Sequence, residues 1–298
     1  MAIAINKLTT LQGHTGAVYS LAYDADRQLL YSAGGDGTVA CWPLNKTGAP
    51  GKAIAKVADH IFSLCLQYPL LWLGTMQGKV SAIQIEDNQE KLHTAFSAKG
   101  VFDIQSVNGN IWLAGSNGML GIGNAAQGLT TLWLGDDNLR CIAFQAMQGH
   151  LAIGSSNHHI YVLRQDGELV KRIEGHKGSV FTLCYSREGK YLLSGSRDAQ
   201  IIVWDVAKNY ELYRHIPAHL FTVNSIAYQP SGRLFASASR DKTIKIWDAD
   251  SFDLLKVIDH QKWGGHVNSV NKLLWLGDDL LASCSDDRSI MIWQITIV

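Results

Sequence analysis

Long hydrophobic runs, an excess of either charge and closely paired cysteines are all missing from this chain of 298 residues. No apolar run approaches the roughly 18 residues that a membrane-spanning helix needs. The N-terminus also lacks the charged start and long apolar middle of a signal peptide. Lysine plus arginine equals aspartate plus glutamate, at 26 each, so no global field would draw in nucleic acid. We therefore expect a cytoplasmic protein with no membrane partner and with nucleic acid disfavoured.

The cysteines are few, odd in number and far apart. No CxxC pair occurs, which excludes zinc ribbons and thioredoxin-type redox motifs. We expect all five to act as small apolar residues in a reducing compartment: Cys41, Cys65, Cys141, Cys184 and Cys284. Since 47% of the residues are hydrophobic and only 17% are charged, the chain can bury a substantial core.

What the sequence does have is an internal repeat. In four segments a histidine is followed by a serine, an aspartate and a tryptophan at nearly constant spacing. Serine to aspartate is four residues and aspartate to tryptophan six residues in every copy. The sets are His14, Ser32, Asp36 and Trp42; His176, Ser194, Asp198 and Trp204; His219, Ser237, Asp241 and Trp247; and His266, Ser283, Asp287 and Trp293.

Three weaker segments between Trp42 and His176 keep the same period. The turn positions are 36, 77, 117, 157, 198, 241 and 287, which lie 40 to 46 residues apart. These segments resemble WD40 repeats, with Gly-His near the start and Trp-Asp near the end of the clearest copies. The resemblance implies an all-β, seven-bladed β-propeller of four-stranded antiparallel blades.

We predict one domain over 1–298. Its approximate repeats are 12–54, 55–95, 96–134, 135–171, 172–213, 214–258 and 259–298, with 1–11 completing the last. The final repeat stops at a third strand, while the N-terminus aligns with an outer strand. We therefore expect residues 2–10 to pair with 290–297 and close the last blade.

The repeated histidine, serine and aspartate invite comparison with a hydrolase triad. Four equivalent sites are more than an enzyme needs, so we predict no catalytic residues. The resemblance instead implies structural sets, in which the aspartate holds the histidine, the histidine bonds the serine and the serine accepts the indole N–H. Gln77, Asn117 and Asn157 replace the aspartate in blades 2 to 4, where we expect apolar packing to substitute.

Two weaker motifs predict neither a cofactor nor a metal. The glycine-rich stretch 121–128 lacks the glycine spacing of a dinucleotide loop and is interpreted as a strand and turn. His158 and His159 have no carboxylate or cysteine at ligand spacing.

Partner-binding residues are predicted from the rim of the propeller. We define the rim as the loops that precede the inner strands (leading loops) together with the turns between second and third strands (middle turns). In the WD40 family this edge is the usual contact surface. The hypothesis names Tyr19, Phe62, Phe102, Arg140, Phe181, Arg197, Arg240 and Trp263. Asn224 and Asn271 hold the position of Tyr19 in blades 6 and 7.

Each of these assignments has an alternative. The aromatic residues can instead pack inside the blades, and Trp263 can be tucked against the ring rather than offered to a partner. Arg197 and Arg240, with Lys177 and Lys242, would attract an acidic or phosphorylated segment, or form an ordinary solvated edge.

The sequence thus favours a non-catalytic scaffold for a partner protein or peptide, acting as a monomer or within a hetero-complex. An enzyme, or a small-ligand or nucleic-acid binder using the channel mouth, remains the alternative.

Overall fold

A computed structural model describes residues 2–45 and 50–297. Within these residues, 28 β-strands and one short helix occur, and the strands form seven four-stranded antiparallel sheets. The all-β class and the seven blades are therefore confirmed. Residues 46–49 of the predicted first repeat, together with Met1 and Val298 at the predicted domain ends, lie outside the described residues.

The chain forms two compact units, and the second of them covers Gly13–Ile142. It holds blades 1 to 3. Blade 1 comprises β2 (Val18–Asp24), β3 (Leu29–Gly34), β4 (Thr38–Pro43) and β5 (Lys52–Lys56); blade 2 comprises β6 (Ile61–Gln67), β7 (Leu70–Thr75), β8 (Lys79–Gln84) and β9 (Glu90–Ala95); blade 3 comprises β10 (Val101–Val107), β11 (Asn110–Gly115), β12 (Met119–Asn124) and β13 (Gly128–Trp133).

The first unit covers Met1–Gln12 and Ala143–Val298, so the division falls within β14 (Leu139–Gln145). β14 heads blade 4, which continues with β15 (His150–Ser155), β16 (Ile160–Arg164) and β17 (Leu169–Ile173). Blade 5 comprises β18 (Val180–Tyr185), β19 (Tyr191–Ser196), β20 (Gln200–Asp205) and β21 (Glu211–Pro217); blade 6 comprises β22 (Val223–Tyr228), β23 (Leu234–Ser239), β24 (Ile244–Asp248) and β25 (Leu254–Ile258).

Blade 7 joins the two ends of the described chain. Its strands are β26 (Val270–Trp275), β27 (Leu280–Ser285), β28 (Ile290–Ile297) and β1 (Ile3–Leu11), and helix α1 (His260–Trp263) lies in its leading loop. β1 pairs antiparallel with β28 from Ile3 opposite Ile297 to Leu11 opposite Ile290. The predicted closure by the N-terminal strand is thus confirmed.

Burial falls from the middle of each blade outwards. In blade 5, five of the six residues of β19 and of β20 are buried, whereas six of the seven residues of β21 are exposed. Middle strands are covered on both faces by neighbouring blades, so their sequences are apolar or small at nearly every position. The outer strands are the sheet edges, and charged residues such as those of β21 suit an edge in water.

All seven middle turns contain a residue in the left-handed region. Blades 1 to 3 place glycine there, while blades 4 to 7 place a residue with a side chain at φ of 66° to 74°. The residues are Gly37, Gly78, Gly118, His158, Ala199, Lys242 and Arg288. Glycine adopts this conformation without strain, whereas residues with a side chain adopt it rarely. The middle turns of blades 4 to 7 are therefore held in it by the surrounding fold.

Inner strands of neighbouring blades are joined by side chains that reach across to backbone N–H groups. Ser20 Oγ accepts from Leu64 N at 2.9 Å, and an Asp103 carboxylate oxygen accepts from Ile142 N at 2.9 Å. Thr182 Oγ1 accepts from Ile226 N at 3.0 Å, and Ser225 Oγ from Leu273 N at 3.1 Å. These N–H groups face away from their own sheets, so the neighbouring side chain supplies the partner that a buried donor needs.

No helix among the described residues is long and apolar enough to cross a membrane. The five cysteines are free. Cys141 and Cys284 are buried as expected, while Cys41, Cys65 and Cys184 are only half-buried.

The bond from Thr182 makes a direct prediction about stability. Thr182→Val keeps the shape of the side chain but leaves the buried Ile226 N–H without its acceptor. The unfolding free energy should fall by about 1–3 kcal/mol, measured by chemical denaturation. Thr131→Val, at an exposed position of β13, is the control and should change stability by less than about 0.5 kcal/mol. Equal effects of the two substitutions would contradict the role given to Thr182.

Candidate functional site

The four repeated sets each close into one chain of hydrogen bonds. In blade 6, Trp247 Nε1 donates to Ser237 Oγ at 2.9 Å, and Ser237 Oγ lies 2.8 Å from His219 Nε2. His219 Nδ1 in turn lies 2.9 Å from Asp241 Oδ2. The corresponding distances in blades 1, 5 and 7 fall between 2.7 and 2.9 Å. The structure therefore brings together every residue of the four predicted sets.

The order of protons along each chain follows from its ends. Tryptophan can only donate and an ionised aspartate can only accept, so the serine hydroxyl donates a hydrogen bond to histidine Nε2, and histidine Nδ1–H donates one to the aspartate. In blade 6, burial lowers the pKa of His219 against the opposing influence of Asp241, which keeps the ring neutral at pH 7. A neutral ring protonated on Nδ1 satisfies every member of the chain.

The aspartates are held ionised. Burial opposes the charge of Asp198, but hydrogen bonds from His176 and from the Lys177 N–H outweigh it and lower the pKa of Asp198 to about 2. The same balance lowers the pKa of Asp36, Asp241 and Asp287. Each carboxylate thus fastens a leading loop to a middle turn, because its backbone donors come from both segments.

The serines of the four sets are closed off from solvent. The four serine hydroxyls are fully buried, at 0% exposure of their residues, so a substrate cannot reach the group that would act as nucleophile. Each hydroxyl already has its tryptophan and histidine partners. A buried set of this kind avoids a cost of about 1–3 kcal/mol for each polar group that would otherwise lack a partner.

In blades 2 and 3, which lack a complete set, other contacts hold the loops and sheets in place. In blade 2 the carboxylate comes from the leading loop, where Asp59 Oδ2 accepts from Gln77 N at 2.8 Å. Between blades 2 and 3, the buried Phe96 packs so closely on Gly115 and Gly121 that a Cβ at either glycine would lie within 2.7 Å of its ring. This ring belongs to an apolar cluster with Trp72 and other residues of both blades.

Four of the eight predicted rim residues lie in one recurrent backbone feature, a β-bulge in the inner strand. In six blades the register between the inner and second strands skips one residue. Bulges re-aim side chains and are frequent at functional sites. The skipped residues are Tyr19, Phe62, Phe102, Phe181, Asn224 and Asn271.

Four of the predicted residues in the second unit stack on one another; we call them the ring row: Tyr19, Phe62, Phe102 and Arg140. Tyr19 meets Phe62 edge to face with ring centroids 5.6 Å apart, and Phe62 stacks on Phe102 at 5.9 Å. The Arg140 guanidinium lies 4.2 Å from the Phe102 centroid. All four side chains are half-buried. The row is thus a continuous surface contributed by blades 1 to 4.

A glycine makes room for the ring row. Gly100, at φ 67°, lies beneath the Phe102 ring, and a Cβ there would come within 2.6 Å of it. Burial of the Arg140 guanidinium on the ring lowers the pKa of that arginine without discharging it. The row therefore presents apolar faces that end in a positive charge.

The matching position of blade 5 holds an aromatic residue, while those of blades 6 and 7 hold amides. Phe181 is half-buried. Asn224 Nδ2 donates to Ser269 Oγ and to Val270 O, both at 2.9 Å, and Asn271 Nδ2 donates to Asp286 Oδ1 at 2.8 Å. Asn224 thus ties blade 6 to blade 7, whereas Asn271 ties the inner strand of blade 7 to the middle turn of the same blade.

Four basic residues of blades 5 and 6 are exposed. Arg197 and Arg240 precede the turn aspartates, while Lys177 and Lys242 follow His176 and Asp241 along the chain. None of these four side chains has an ion pair or hydrogen bond within the described residues. Their positive charges are therefore not paired with a carboxylate among the described residues.

Trp263 is placed against the protein rather than offered to solvent. It ends helix α1, which begins at the N-cap Asp259 and stops at Gly264 in the left-handed conformation. Its ring is half-buried against the core cluster of blades 6 and 7. The leading loop of blade 7 thus contains a helical turn, and Trp263 packs on the core cluster as in the tucked alternative.

Sequence reasoning missed two exposed apolar residues in the leading loop of blade 6. Leu220 is 83% exposed and Phe221 is 59% exposed. The signal was present, since they follow His219 where blade 5 has Lys177 and Gly178 after His176. Their loop is fixed by Leu220 N, which donates to Asp241 Oδ2 at 3.0 Å.

Comparison with known proteins agrees with this geometry. The family model "WD domain, G-beta repeat" matches residues 5–43, 167–205, 210–248 and 258–294, together more than half of the chain. The chain belongs to the WD40 family. Each matched segment contains one of the four complete sets.

The WD40 propeller architecture is also shared with a solved structure. The WD40 beta propeller domain of Doa1 superimposes with a TM-score of 0.87 at 18% identity, over 98% of this chain and 97% of that one. This likeness establishes the seven-bladed propeller fold.

Curated relatives match over shorter stretches. The F-box-like/WD repeat-containing protein TBL1X of Homo sapiens is 27% identical over 203 residues, which are 68% of this chain and 24% of TBL1X. The Intraflagellar transport protein 122 homolog of Danio rerio is 33% identical over 63 residues, 21% of this chain and 5% of that protein. The WD repeat protein iqw1 of Schizosaccharomyces pombe is 51% identical over 43 residues, 14% of this chain and 5% of its own length. This WD40 chain spans about a quarter of TBL1X.

The depressed pKa of Asp198 predicts a pH dependence. Because its pKa falls from 3.8 to about 2 on folding, the stabilisation is full above about pH 4 and is lost as the pH drops towards 2. Asp198→Asn should lower the unfolding free energy by about 2 kcal/mol at pH 7 and flatten its decline between pH 5 and 2. Asp26→Asn, at an exposed turn, is the control. A parallel decline in wild type and Asp198→Asn would refute the assignment.

The uneven distribution of complete sets predicts uneven opening. Within the second unit, the amides of blades 2 and 3 should exchange hydrogen faster than those of blade 1. Within the first unit, blade 4 should exchange faster than blades 5 to 7. Hydrogen exchange followed by mass spectrometry measures both orders, and the slowest amides appearing in blades 2 to 4 would contradict the expectation.

Proposed function

We propose that this WD40 propeller is a non-catalytic scaffold that binds a partner protein or peptide on its rim. The ring row is the observation that carries the proposal. Three aromatic rings occupy positions where bulges turn side chains out of the sheets, the Arg140 guanidinium lies over the last of these rings, and all four side chains remain partly accessible. Aromatic residues and arginine dominate binding hot spots, because they bury a large area at a small cost in side-chain entropy.

The ring row is also pre-organised. Its members already stack on each other, so a partner would not have to order them on binding. Pre-ordered contact surfaces lose less conformational entropy in the complex. WD40 membership supports the same proposal, since contact with partners through this edge is what the family resemblance implies.

An acidic partner segment is the finer part of the proposal. Lys177, Arg197, Arg240 and Lys242 are exposed and without ion pairs in the first unit. Carboxylates or phosphates of a partner would neutralise them and speed association. Five free cysteines support the proposed reducing, cytoplasmic setting. We propose that the chain acts as a monomer or as one subunit of a hetero-complex.

A double substitution tests the proposal. Tyr19→Ala with Phe62→Ala removes the two apolar faces at one end of the row, and we expect captured partners to fall by tenfold or more, roughly the loss of one hot spot. Affinity capture with quantitative mass spectrometry measures the change.

Trp133→Ala supplies the matched control. This tryptophan is 60% exposed on the outer strand β13 of the same unit, so its loss removes comparable apolar area away from the rim. The unfolding midpoint of each variant separates weakened binding from misfolding. A folded double variant with an unchanged set of partners would exclude the ring row as the contact surface.

A further inference from the structure

A cleft of about 370 Å³ opens on the rim between blades 4 and 5, wholly within the first unit. The middle turn of blade 4 forms one wall, and the leading loop and middle turn of blade 5 form the other. The lining residues are Ser156, His158, Lys177, Gly178, Ser179, Arg197 and Asp198.

The charge inside this cleft is unbalanced. Lys177 and Arg197 bring two positive charges that no described carboxylate neutralises, and His158 adds an imidazole that can donate a hydrogen bond. Asp198 contributes the only carboxylate of the lining. Its oxygens already accept from His176 Nδ1, Lys177 N and Gln200 N, and its side chain is 13% exposed. The cleft therefore presents donors and cations to an incoming group.

The backbone around the cleft is held in place before any ligand arrives. Arg197 N donates to Ser179 O at 2.9 Å, and Ser196 Oγ donates to Gly178 O at 3.0 Å. Ser179 Oγ donates to Ser156 O at 3.1 Å, which joins the two walls. Binding would thus order only the long side chains of Lys177 and Arg197, so little of the interaction is lost to loop ordering.

Two exposed apolar residues, Leu220 and Phe221, lie in the loop next to this cleft. His219 N donates to Ala199 O at 3.1 Å, so the middle turn that holds Arg197 touches the loop that holds Leu220 and Phe221. On its other side this loop meets the next middle turn, where Arg240 N donates to Thr222 O at 3.0 Å. The two exposed apolar side chains are therefore flanked by a cationic turn on either side.

We propose that the cleft binds the phosphate of a phosphorylated serine or threonine in a partner peptide, while an apolar residue of the same peptide covers Leu220 and Phe221. A phosphate monoester carries a charge of about −1.5 to −2 at neutral pH and three acceptor oxygens, which matches two cations and an imidazole donor. Arginine binds such a group through paired hydrogen bonds. The inference rests on the proposed peptide-binding function and assigns the chemistry of one partner segment.

Degenerate nonapeptide pools test the proposal with the intact chain. One pool carries phosphoserine at its centre, a second carries serine and a third carries glutamate, and binding is followed by fluorescence anisotropy at roughly 0.15 M salt. We expect the phosphoserine pool to bind at least about tenfold more tightly than either of the others. Sequencing the retained phosphopeptides should show enrichment of leucine, phenylalanine or similar residues on one side of the phosphate.

Substitutions locate the two halves of the site. Arg197→Glu should remove the preference for phosphate, while Lys208→Glu, at another exposed cation on the opposite end of blade 5, should leave it intact. Leu220→Ser should abolish the apolar enrichment but keep the phosphate preference. Leu212→Ser, on the outer strand β21, is its control.

The remaining outcomes would each overturn the proposal. Equal binding of the phosphoserine and serine pools would exclude a phosphate site, and equal binding of the glutamate pool would mean that the cleft reads negative charge in general. Phosphate-dependent binding that survives Arg197→Glu would place the site elsewhere. If none of the pools binds while partner capture still depends on Tyr19 and Phe62, this inference fails and the scaffold function stands.

Discussion

An inner strand of a propeller blade has a hydrogen-bonded neighbour on one side only. Its other edge would leave buried N–H groups without acceptors, and the side chain of an adjacent inner strand meets that need in this protein. Serine, threonine and aspartate fill this role directly after the bulged residue of their strand. In each of these strands the bulged residue therefore points towards the rim, and the residue directly after it holds neighbouring blades together.

The residues that stabilise the blades are therefore different from the residues available to contact a partner. The complete sets of blades 1, 5, 6 and 7 fix leading loops to middle turns through buried groups. Side chains next to those anchors, such as Lys177, Arg197 and Leu220, are not needed for the anchoring and lie in solvent. Their identity can differ from blade to blade without cost to the fold, which is how one repeated scaffold presents rings in one unit and cations in the other.

Much of this architecture could be predicted from residue spacing. The constant intervals among histidine, serine, aspartate and tryptophan located the blades, their middle turns and the closing pair of strands, because each interval is set by strand length within a single blade. The stacking of Phe62 on Phe102 could not be predicted, since it depends on the approach of one blade to the next. The cleft at Arg197 could not be predicted for the same reason, because its walls come from two neighbouring blades. The helix ending at Trp263 did carry local signals, namely the N-cap Asp259 and the terminating Gly264, and was missed because a four-residue helix has no periodicity to detect.

The pairing of β1 with β28 has a consequence for biosynthesis. About 280 residues separate Leu11 from Ile290, so at a synthesis rate of roughly 5–20 residues per second the first strand waits tens of seconds for its partner to leave the ribosome. During that time its backbone edge is open to unwanted pairing with other nascent chains. Asn6, Lys7, Thr9 and Thr10 make it a polar strand, and eight of its nine residues, Leu8 among them, are exposed or half-buried after folding. That composition keeps the waiting strand hydrated until the last blade can be completed.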